Sequence, residues 1–262
     1  MNKKHGYIAI VIVLLVLILD QWLKIWIKTN MALGEELFPL GANNDWFRIH
    51  FTENPGMAFG LKLGGETGKI ILSTFRIIAV SFMGYYLFHL LKKSAHIGLV
   101  VSIAFILAGA LGNILDSAFY GFLFDKGTTL QNGEYWQGYY GVAQYLSESD
   151  AEVGYAGFLR GCVVDMLYFP MLEGFYPEWM PIWGGERFMF FRPVFNLADS
   201  AITLGVLLII FFQGRFFEHE ERMGTEEEAD EVVENEKVEV DEQRPSAGAD
   251  NEIGDSDADK VE

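Results

Sequence analysis

The sequence predicts an all-α polytopic membrane protein: four transmembrane helices, a small β-rich cradle on one face and an inserted loop. The main observations are an apolar composition, 51% hydrophobic over 262 residues, and its concentration in four long runs. The charge is also uneven, because residues 218–262 contain 19 acidic and 4 basic residues and leave residues 1–217 almost neutral. We therefore expect a membrane domain over 1–217 and an acidic, disordered cytoplasmic tail over 218–262.

Composition also excludes two classes. Cys162 is the only cysteine, so an intramolecular disulfide framework is impossible, and the thiol is expected to be a small apolar filler. A net charge of −17 argues against a basic nucleic-acid-binding surface.

Each apolar run is long enough to cross the hydrocarbon core as a helix, which takes roughly 20 residues. We place the spans at 7–27, 70–91, 97–120 and 194–213. The first run is retained rather than cleaved as a signal peptide, since no small-residue cleavage site follows and apolar residues resume after Asp20. An even number of spans puts both termini on one side, and the positive-inside rule makes that side the cytoplasm. The basic residues that indicate this are Lys3, Lys4, Lys92, Lys93, Arg215 and Arg222.

The two outer loops, 28–69 and 125–193, contain more than linker residues. Residues 46–60 combine β-forming residues with an Asn-Pro-Gly turn, which predicts the β-rich cradle. The second loop is rich in aromatic residues, which favour either the membrane interface or the core of a folded external cap. The sequence leaves both interpretations open for Tyr135, Trp136, Tyr139, Tyr140, Phe175, Tyr176, Trp179 and Trp183.

The spans place polar side chains at one depth. A rise of about 1.5 Å per residue puts Asp20 roughly 20 Å above the start of its span, and Asn113 and Asp116 roughly 24–28 Å above theirs. Asn196 and Asp199 are expected in the first turns of the descending fourth span. Each Asn–Asp pair is spaced i,i+3 and so shares a helix face. Because polar groups inside spans are costly and usually functional, we expect a site in the outer half of the bilayer.

Two loop residues, Asn54 and Asp165, are expected to join this site. Carboxylates that meet in a low-dielectric place share a proton, since like charges raise the pKa of one of them. Such a dyad carries out aspartic proteolysis: the ionised Asp takes a proton from water and the protonated Asp polarises the scissile carbonyl. Nearby Asn side chains orient carboxylates or stabilise an oxyanion. Asp116 has a second interpretation, as a cap at the outer end of its helix. A serine or zinc protease is disfavoured, because no Ser–His pair or HExxH helix is evident.

Five short blocks carry a family resemblance. They are DQWLK at 20–24, NPGMAFG at 54–60, GALGNILD at 109–116, VVD at 163–165 and FNLAD at 195–199. Any one block is weak, but five in this order across residues 1–213 are specific. The chain thereby resembles bacterial lipoprotein signal peptidase (signal peptidase II), an aspartyl protease of the cytoplasmic membrane. The insertion over 122–160 resembles a Bacteroidetes-type member.

The resemblance implies removal of the signal peptide from diacylglyceryl-modified prolipoproteins, by cleavage just before the lipidated Cys. It implies no metal or organic cofactor, contact with membrane lipid, a monomer, no nucleic-acid partner, and inhibition by the cyclic peptide globomycin. The enzyme is expected in the inner membrane, with both termini cytoplasmic and its active site near the periplasmic leaflet. The residues that it implies are the catalytic dyad Asp165 and Asp199, the dyad-supporting or substrate-binding Asn54, Gly56, Asn113, Asp116 and Asn196, and the structural Asp20.

Two features depart from the family pattern. Ser117 follows Asp116 where the family usually has Arg, and the segment from Asp116 to Asp165 is longer than in the family. Arg76 and Arg160 are candidates for the missing positive charge, although a surface or snorkelling position is the simpler interpretation of both.

Two rival classes remain. A cation-transporter subunit predicts a hydrophilic path to the cytoplasmic side, whereas the inner halves of all four spans are apolar. A scaffold that recruits partners through its acidic tail is separated from an enzyme by deleting 218–262, which an enzyme should tolerate.

Overall fold

The computed structural model describes residues 3–41, 46–56, 65–132, 135–146, 154–170, 172–190 and 193–216. Within these residues four helices are long and apolar enough to cross a membrane, which confirms the four predicted spans. The predicted acidic tail over 218–262 lies outside the described residues. The helices are α1 (Lys3–Asn30), α2 (Gly65–Lys92), α3 (Ile97–Leu123) and α4 (Leu197–Phe216).

The start of α4 differs from the predicted span, which began at 194. The backbone of Phe195 pairs with Leu167, accepting from the Leu167 N–H at 2.7 Å and donating to the Leu167 carbonyl at 3.0 Å. A residue engaged in this antiparallel bridge cannot take a helical conformation. The helix therefore begins only at Leu197, and the chain just before it is tied to a strand.

The central helix of the bundle is α3. In the most apolar stretch of each helix, 56% of the residues are buried in α3, against 17% in α1 and α4 and 11% in α2. The other three helices expose most of their apolar surface, as expected of helices that face lipid. The buried core around α3 consists of Ala9, Leu87, Leu90, Ala95, Leu99, Val100, Ile103, Ala104, Leu107 and Phe216.

Glycines let α3 and α4 approach closely. A Cβ atom added to Gly109 of α3 would lie 2.2 Å from the Ala198 carbonyl oxygen, and one added to Gly205 of α4 would lie 2.5 Å from the Ser102 carbonyl oxygen. Small residues at such crossings favour association of helices in lipid, where van der Waals packing replaces the hydrophobic effect. The close approach brings the beginning of α4 against the outer half of α3.

The described strands form three small antiparallel sheets, which confirms a small β-rich portion. One sheet has the order β1-β2-β5, and the others are the hairpins β3–β4 and β6–β7. The strands are β1 (Glu36–Leu37), β2 (Arg48–Asn54), β3 (Thr129–Gln131), β4 (Tyr135–Gln137), β5 (Val163–Tyr168), β6 (Leu172–Phe175) and β7 (Arg187–Phe190).

The pairing of β2 with β5 joins two of the sequence blocks. Thr52 lies opposite Asp165 and Asn54 lies opposite Val163, after a register shift between Ile49 and Thr52. The register therefore places the Asn-Pro-Gly turn beside the strand that carries Asp165.

The inserted segment surrounds the end of α1. The Lys28 ammonium is fully buried and forms an ion pair with Glu53 of β2. It also donates to the Lys126 carbonyl at 2.9 Å, and it lies 5.1 Å from the centroids of three aromatic rings. Cations over aromatic faces are stabilised by the ring quadrupole, most strongly when water is excluded. The insertion thus fastens α1 to the sheet through the rings of Phe124, Tyr139 and Tyr155.

The aromatic residues of the second loop divide between the two interpretations left open above. Tyr139 and Tyr155 pack against a buried cluster that includes Phe51, Tyr120 and Val164. In contrast, Tyr140, Phe175 and Trp179 are largely exposed. One part of the loop is therefore a folded cap, and another part presents aromatic rings outward.

Candidate active site

Asp165 lies in β5, which packs against α1 and α3. Its side chain is only 5% exposed, and the Asn196 side-chain amide donates a hydrogen bond of 2.7 Å to its Oδ1. Burial and the nearby charge of Asp199 raise the pKa of Asp165 to about 7. The Asp165 carboxyl can therefore be either protonated or ionised near neutral pH.

Asp199 lies in the first turn of α4 and is half-buried. Its Oδ1 accepts from the Asn113 side-chain amide at 2.8 Å, and its Oδ2 accepts from the Asn196 backbone N–H at 3.3 Å. The Asn196 Oδ1 in turn accepts from the Asp199 backbone N–H at 2.9 Å. This reciprocal arrangement is a helix cap. Asn196 therefore stands just before α4, and not within its first turns as expected from the sequence.

Two asparagine amides join the carboxylates into one unit. The Asn196 Nδ2 donates both to Asp165 and, at 3.1 Å, to the Asn113 Oδ1. The Asn113 Oδ1 also accepts from the Lys24 ammonium at 2.9 Å, and its Nδ2 donates to Asp199. Because each amide oxygen already faces a donor, neither amide can rotate by half a turn without losing hydrogen bonds. The amide N–H groups are therefore aimed at the two carboxylates.

Asp116 does not cap the end of its helix, contrary to one interpretation of the sequence. It is fully buried within α3, where its Oδ2 lies 2.8 Å from the Lys24 ammonium. The Gln21 amide donates to its Oδ1 at 2.8 Å, and the Val164 N–H approaches its Oδ2 at 3.4 Å. Asp116 thus connects α1 and α3 with β5, at the residue that precedes Asp165.

Asp20 connects the first helix with the last. Its Oδ2 lies 2.8 Å from the Lys24 ammonium, one helical turn further along α1. Its Oδ1 accepts from the Ala198 backbone N–H at 2.9 Å, in the first turn of α4. A Cβ atom on Gly112 of α3 would lie 2.7 Å from the Asp20 Oδ2, so glycine is needed for this contact. The Asp20 carboxylate therefore joins α1 to the first turn of α4.

Asn54 and Gly56 form the turn after β2. The Asn54 Oδ1 accepts from the Gly56 N–H at 2.9 Å, which closes an Asx-turn. Gly56 has φ +97°, a conformation that L-residues with a side chain rarely adopt. The rest of this sequence block, residues 57–60, lies outside the described residues.

Comparison with known proteins identifies the family of this chain. Residues 12–214 match the family model of signal peptidase (SPase) II. The chain belongs to the signal peptidase II family. It is therefore a prolipoprotein signal peptidase, an enzyme of the membrane, as the sequence blocks suggested.

Relatives in the family cover most of the chain. A lipoprotein signal peptidase of Porphyromonas gingivalis is 43% identical over 207 residues, which are 79% of this chain and 82% of the relative. One from Amoebophilus asiaticus is 36% identical over 200 residues, 76% of this chain and 74% of the relative. The solved structure of a bacterial membrane enzyme aligns with 78% of this chain and 90% of its own length, at 25% identity and a TM-score of 0.46.

The sequence prediction missed the part played by Lys24 in this signal peptidase. Lys24 is fully buried and contacts Asp20, Asp116 and Asn113 together. The available signal was the i,i+4 spacing of Asp20 and Lys24 on one helix face. Lys24 of α1 supplies a positive charge next to Asp116. Arg76 of α2 is half-buried and interacts electrostatically with Asp199, Asp165 and Asp116, whereas Arg160 lies in the inserted segment.

Within the described ranges, no three His, Cys, Asp or Glu side chains are grouped so that they could hold a metal ion. The carboxylates of Asp20, Asp116, Asp165 and Asp199 instead accept from amide, ammonium and backbone donors.

Replacement of Gly56 should lower the stability of the enzyme. We expect Gly56→Ala to lower the free energy of unfolding by about 1–3 kcal/mol, because its φ is strained for alanine. The added Cβ atom would also lie 3.2 Å from the Leu72 Cδ2. Thermal unfolding in detergent measures this loss. The matched control is Gly84→Ala in α2, where a Cβ atom meets nothing within 4 Å; equal stability of both variants would contradict the prediction.

Proposed function

We propose that this signal peptidase is an aspartyl endopeptidase that cleaves diacylglyceryl-modified prolipoproteins just before the lipidated Cys, with Asp165 and Asp199 as its catalytic dyad. The observation that carries the proposal is the amide pair of Asn113 and Asn196, which binds both carboxylates into one unit. Asp199 is half-buried and Asp165 almost fully buried, so the unit offers one accessible carboxylate beside a desolvated one.

The hydrogen bonds suggest how the proton is shared. Among the described residues, donors from asparagine face Asp165 Oδ1, Asp199 Oδ1 and Asp199 Oδ2. The remaining oxygen, Asp165 Oδ2, is the one that can carry a proton without facing an N–H group. Both oxygens of Asp199, in contrast, already accept hydrogen bonds from N–H groups. Asp165 therefore acts as the acid and Asp199 as the base.

These assignments define the chemistry. Asp199 takes a proton from the attacking water, and the protonated Asp165 donates a hydrogen bond to the scissile carbonyl as negative charge develops there. When the tetrahedral intermediate collapses, the C–N bond breaks and Asp199 gives the proton that it took from water to the leaving amine. Asn113 and Asn196 act as positioning residues, because they hold the carboxylates in register.

The proposal also includes the orientation of the protein in the membrane. Both termini lie in the cytoplasm, the enzyme resides in the inner membrane as a monomer, and the dyad lies near the periplasmic leaflet. The dyad lies at the end of the bundle where α3 ends and α4 begins, opposite to the Lys92–Lys93 end of α2. Residues 1–217 form the peptidase unit, and residues 218–262 are a dispensable tail. Support comes from the basic residues at the proposed cytoplasmic ends.

The direct test is cleavage by the purified full-length chain. The substrate is a diacylglyceryl-modified prolipoprotein, and the matched control is the same prolipoprotein without the lipid. We expect cleavage of the lipidated form alone, a product whose first residue is the lipidated Cys by mass spectrometry, and loss of cleavage with globomycin. Cleavage at another bond, or equal cleavage of the unmodified substrate, would contradict the proposal.

The proposed roles predict a pH dependence. The acid must be protonated, and the pKa of Asp165 is raised to about 7 by burial and by the charge of Asp199. As pH rises through about 7, Asp165 loses its proton and kcat/KM should fall, by about tenfold per pH unit well above that value. Cleavage rates measured across neutral pH under conditions of constant detergent test this. A rate that stays constant or rises into the alkaline range would refute the assignment of Asp165 as the acid.

A further inference from the structure

A cavity unrelated to the dyad lies beside the beginning of α2. Its volume is about 290 Å³, and its walls come from α2, from the β3–β4 hairpin and from the segment around residues 155–160. The side chains that matter here are Lys69 and Arg160, with Trp136 and Tyr155 as aromatic walls. None of the described lining residues is acidic.

Lys69 is the unusual member of this cavity. Its side chain is only 6% exposed, yet its ammonium contacts no carboxylate within the part of the chain that the structure describes. It donates to the Cys162 Sγ at 3.4 Å and lies 4.9 Å from the centroid of the Trp136 ring. A buried ammonium without an anionic partner costs several kcal/mol, which a bound anion would offset.

The neighbours of Lys69 do not supply that anion. Burial raises the pKa of the Cys162 thiol to about 11, so the thiol is neutral at physiological pH, and it donates in turn to the Thr128 carbonyl at 3.2 Å. Glu53, whose charge reaches Cys162, is already paired with Lys28 and accepts from the Thr128 N–H at 2.6 Å. The Lys69 ammonium in the wall of the cavity therefore has no anionic partner among the described residues, and the Arg160 guanidinium also lines the cavity.

The position of the cavity indicates which class of anion it binds. The membrane-spanning part of α2 begins at Thr67, so Lys69 lies at the border of the apolar span. Lipid phosphates flank the hydrocarbon core at this level. A lysine and an arginine in one cavity favour phosphate as the bound anion, since both cations donate hydrogen bonds to phosphate oxygens.

We infer that the cavity bounded by Lys69, Trp136 and Arg160 binds one phosphate group, which a phospholipid headgroup or free phosphate can supply. The inserted segment contributes Trp136 and Arg160, so the site depends on the insertion. The inference does not depend on the roles given to Asp165 and Asp199.

Native mass spectrometry of the full-length chain in detergent tests the site. The probe is dioleoylphosphatidylglycerol, and the ligand control is dioleoylglycerol, which has the same acyl chains without phosphate. We expect one phospholipid to be retained by the wild type, and Lys69→Met or Arg160→Gln to weaken its binding by about tenfold. The protein control is Lys93→Met, an exposed lysine at the other end of α2, which should bind like the wild type.

Competition with millimolar inorganic phosphate identifies whether a lipid headgroup or free phosphate supplies the bound phosphate group. Displacement of the lipid means that free phosphate fills the site, and retention of the lipid means that the headgroup does; either result supports a phosphate site. Equal binding by the wild type and Lys69→Met, or equal binding of dioleoylglycerol, would overturn it. Thermal unfolding reports whether each variant is folded, and if Lys69→Met is not folded, Arg160→Gln decides in the same assay.

Discussion

Asp165→Asn and Asp199→Asn should each reduce cleavage of a lipidated prolipoprotein by about 10³-fold or more, because each removes one partner of the proposed proton transfer. The substitutions are isosteric. The oxygen of an asparagine at either position can still accept from Asn196 or Asn113, so the fold should be retained. The measurement is the rate of signal-peptide release by the purified variants, with thermal unfolding recorded on the same samples.

The matched control for the dyad is Asp125→Asn. Asp125 lies in the inserted segment, where its Oδ1 accepts from the Gln144 N–H at 2.7 Å, a bond that asparagine can also make. This variant should cleave at the wild-type rate. If Asp165→Asn keeps substantial turnover while Asp116→Asn loses it, the dyad is wrongly assigned and Asp116 takes the place of Asp165.

Lys24→Met should destabilise the protein by about 3–5 kcal/mol, because it leaves two buried carboxylates without their cation. Asp20 and Asp116 each lie 2.8 Å from the Lys24 ammonium, and the side chain is fully buried. Cleavage should fall as well, since the same ammonium holds the Asn113 Oδ1 that orients the amide pair. Equilibrium unfolding in detergent, followed by circular dichroism, measures the stability.

Two controls isolate the buried charge. Lys93→Met removes an exposed lysine and should leave the stability unchanged within about 0.5 kcal/mol. The double variant Lys24→Met with Asp116→Asn removes cation and carboxylate together, and it should recover part of the loss as a coupling energy. A loss below about 1 kcal/mol for Lys24→Met alone would mean that the cluster contributes little.

Local patterns account for what the sequence could predict. Four spans follow from the length of the apolar runs, and the depth of Asn113, Asp116 and Asp199 follows from their distance along each run. The same reasoning brought these residues to one end of the bundle. The roles of individual site residues could then be inferred only through the family resemblance.

Other features depend on contacts between elements that are far apart in the sequence, and a local sequence pattern does not predict such contacts. The pairing of Lys24 with Asp116 requires the rotation of α1 against α3, and without it Asp116 was open to interpretation as a cap. The later start of α4 depends on the backbone bridge between Phe195 and Leu167. The enclosure of Lys28 depends on an inserted segment whose path the sequence did not predict.

The bond between Asp20 and the Ala198 N–H has a consequence for biogenesis. It joins the first span to the last, across 178 positions of the chain. Because synthesis proceeds from the N-terminus, α1 must wait in the bilayer until α4 has entered, with its carboxylate and ammonium paired only to each other and to α3. The hydrogen bonds that join Asp199 to Asn113 and Asn196 therefore form last, so a chain that ends before α4 should lack them.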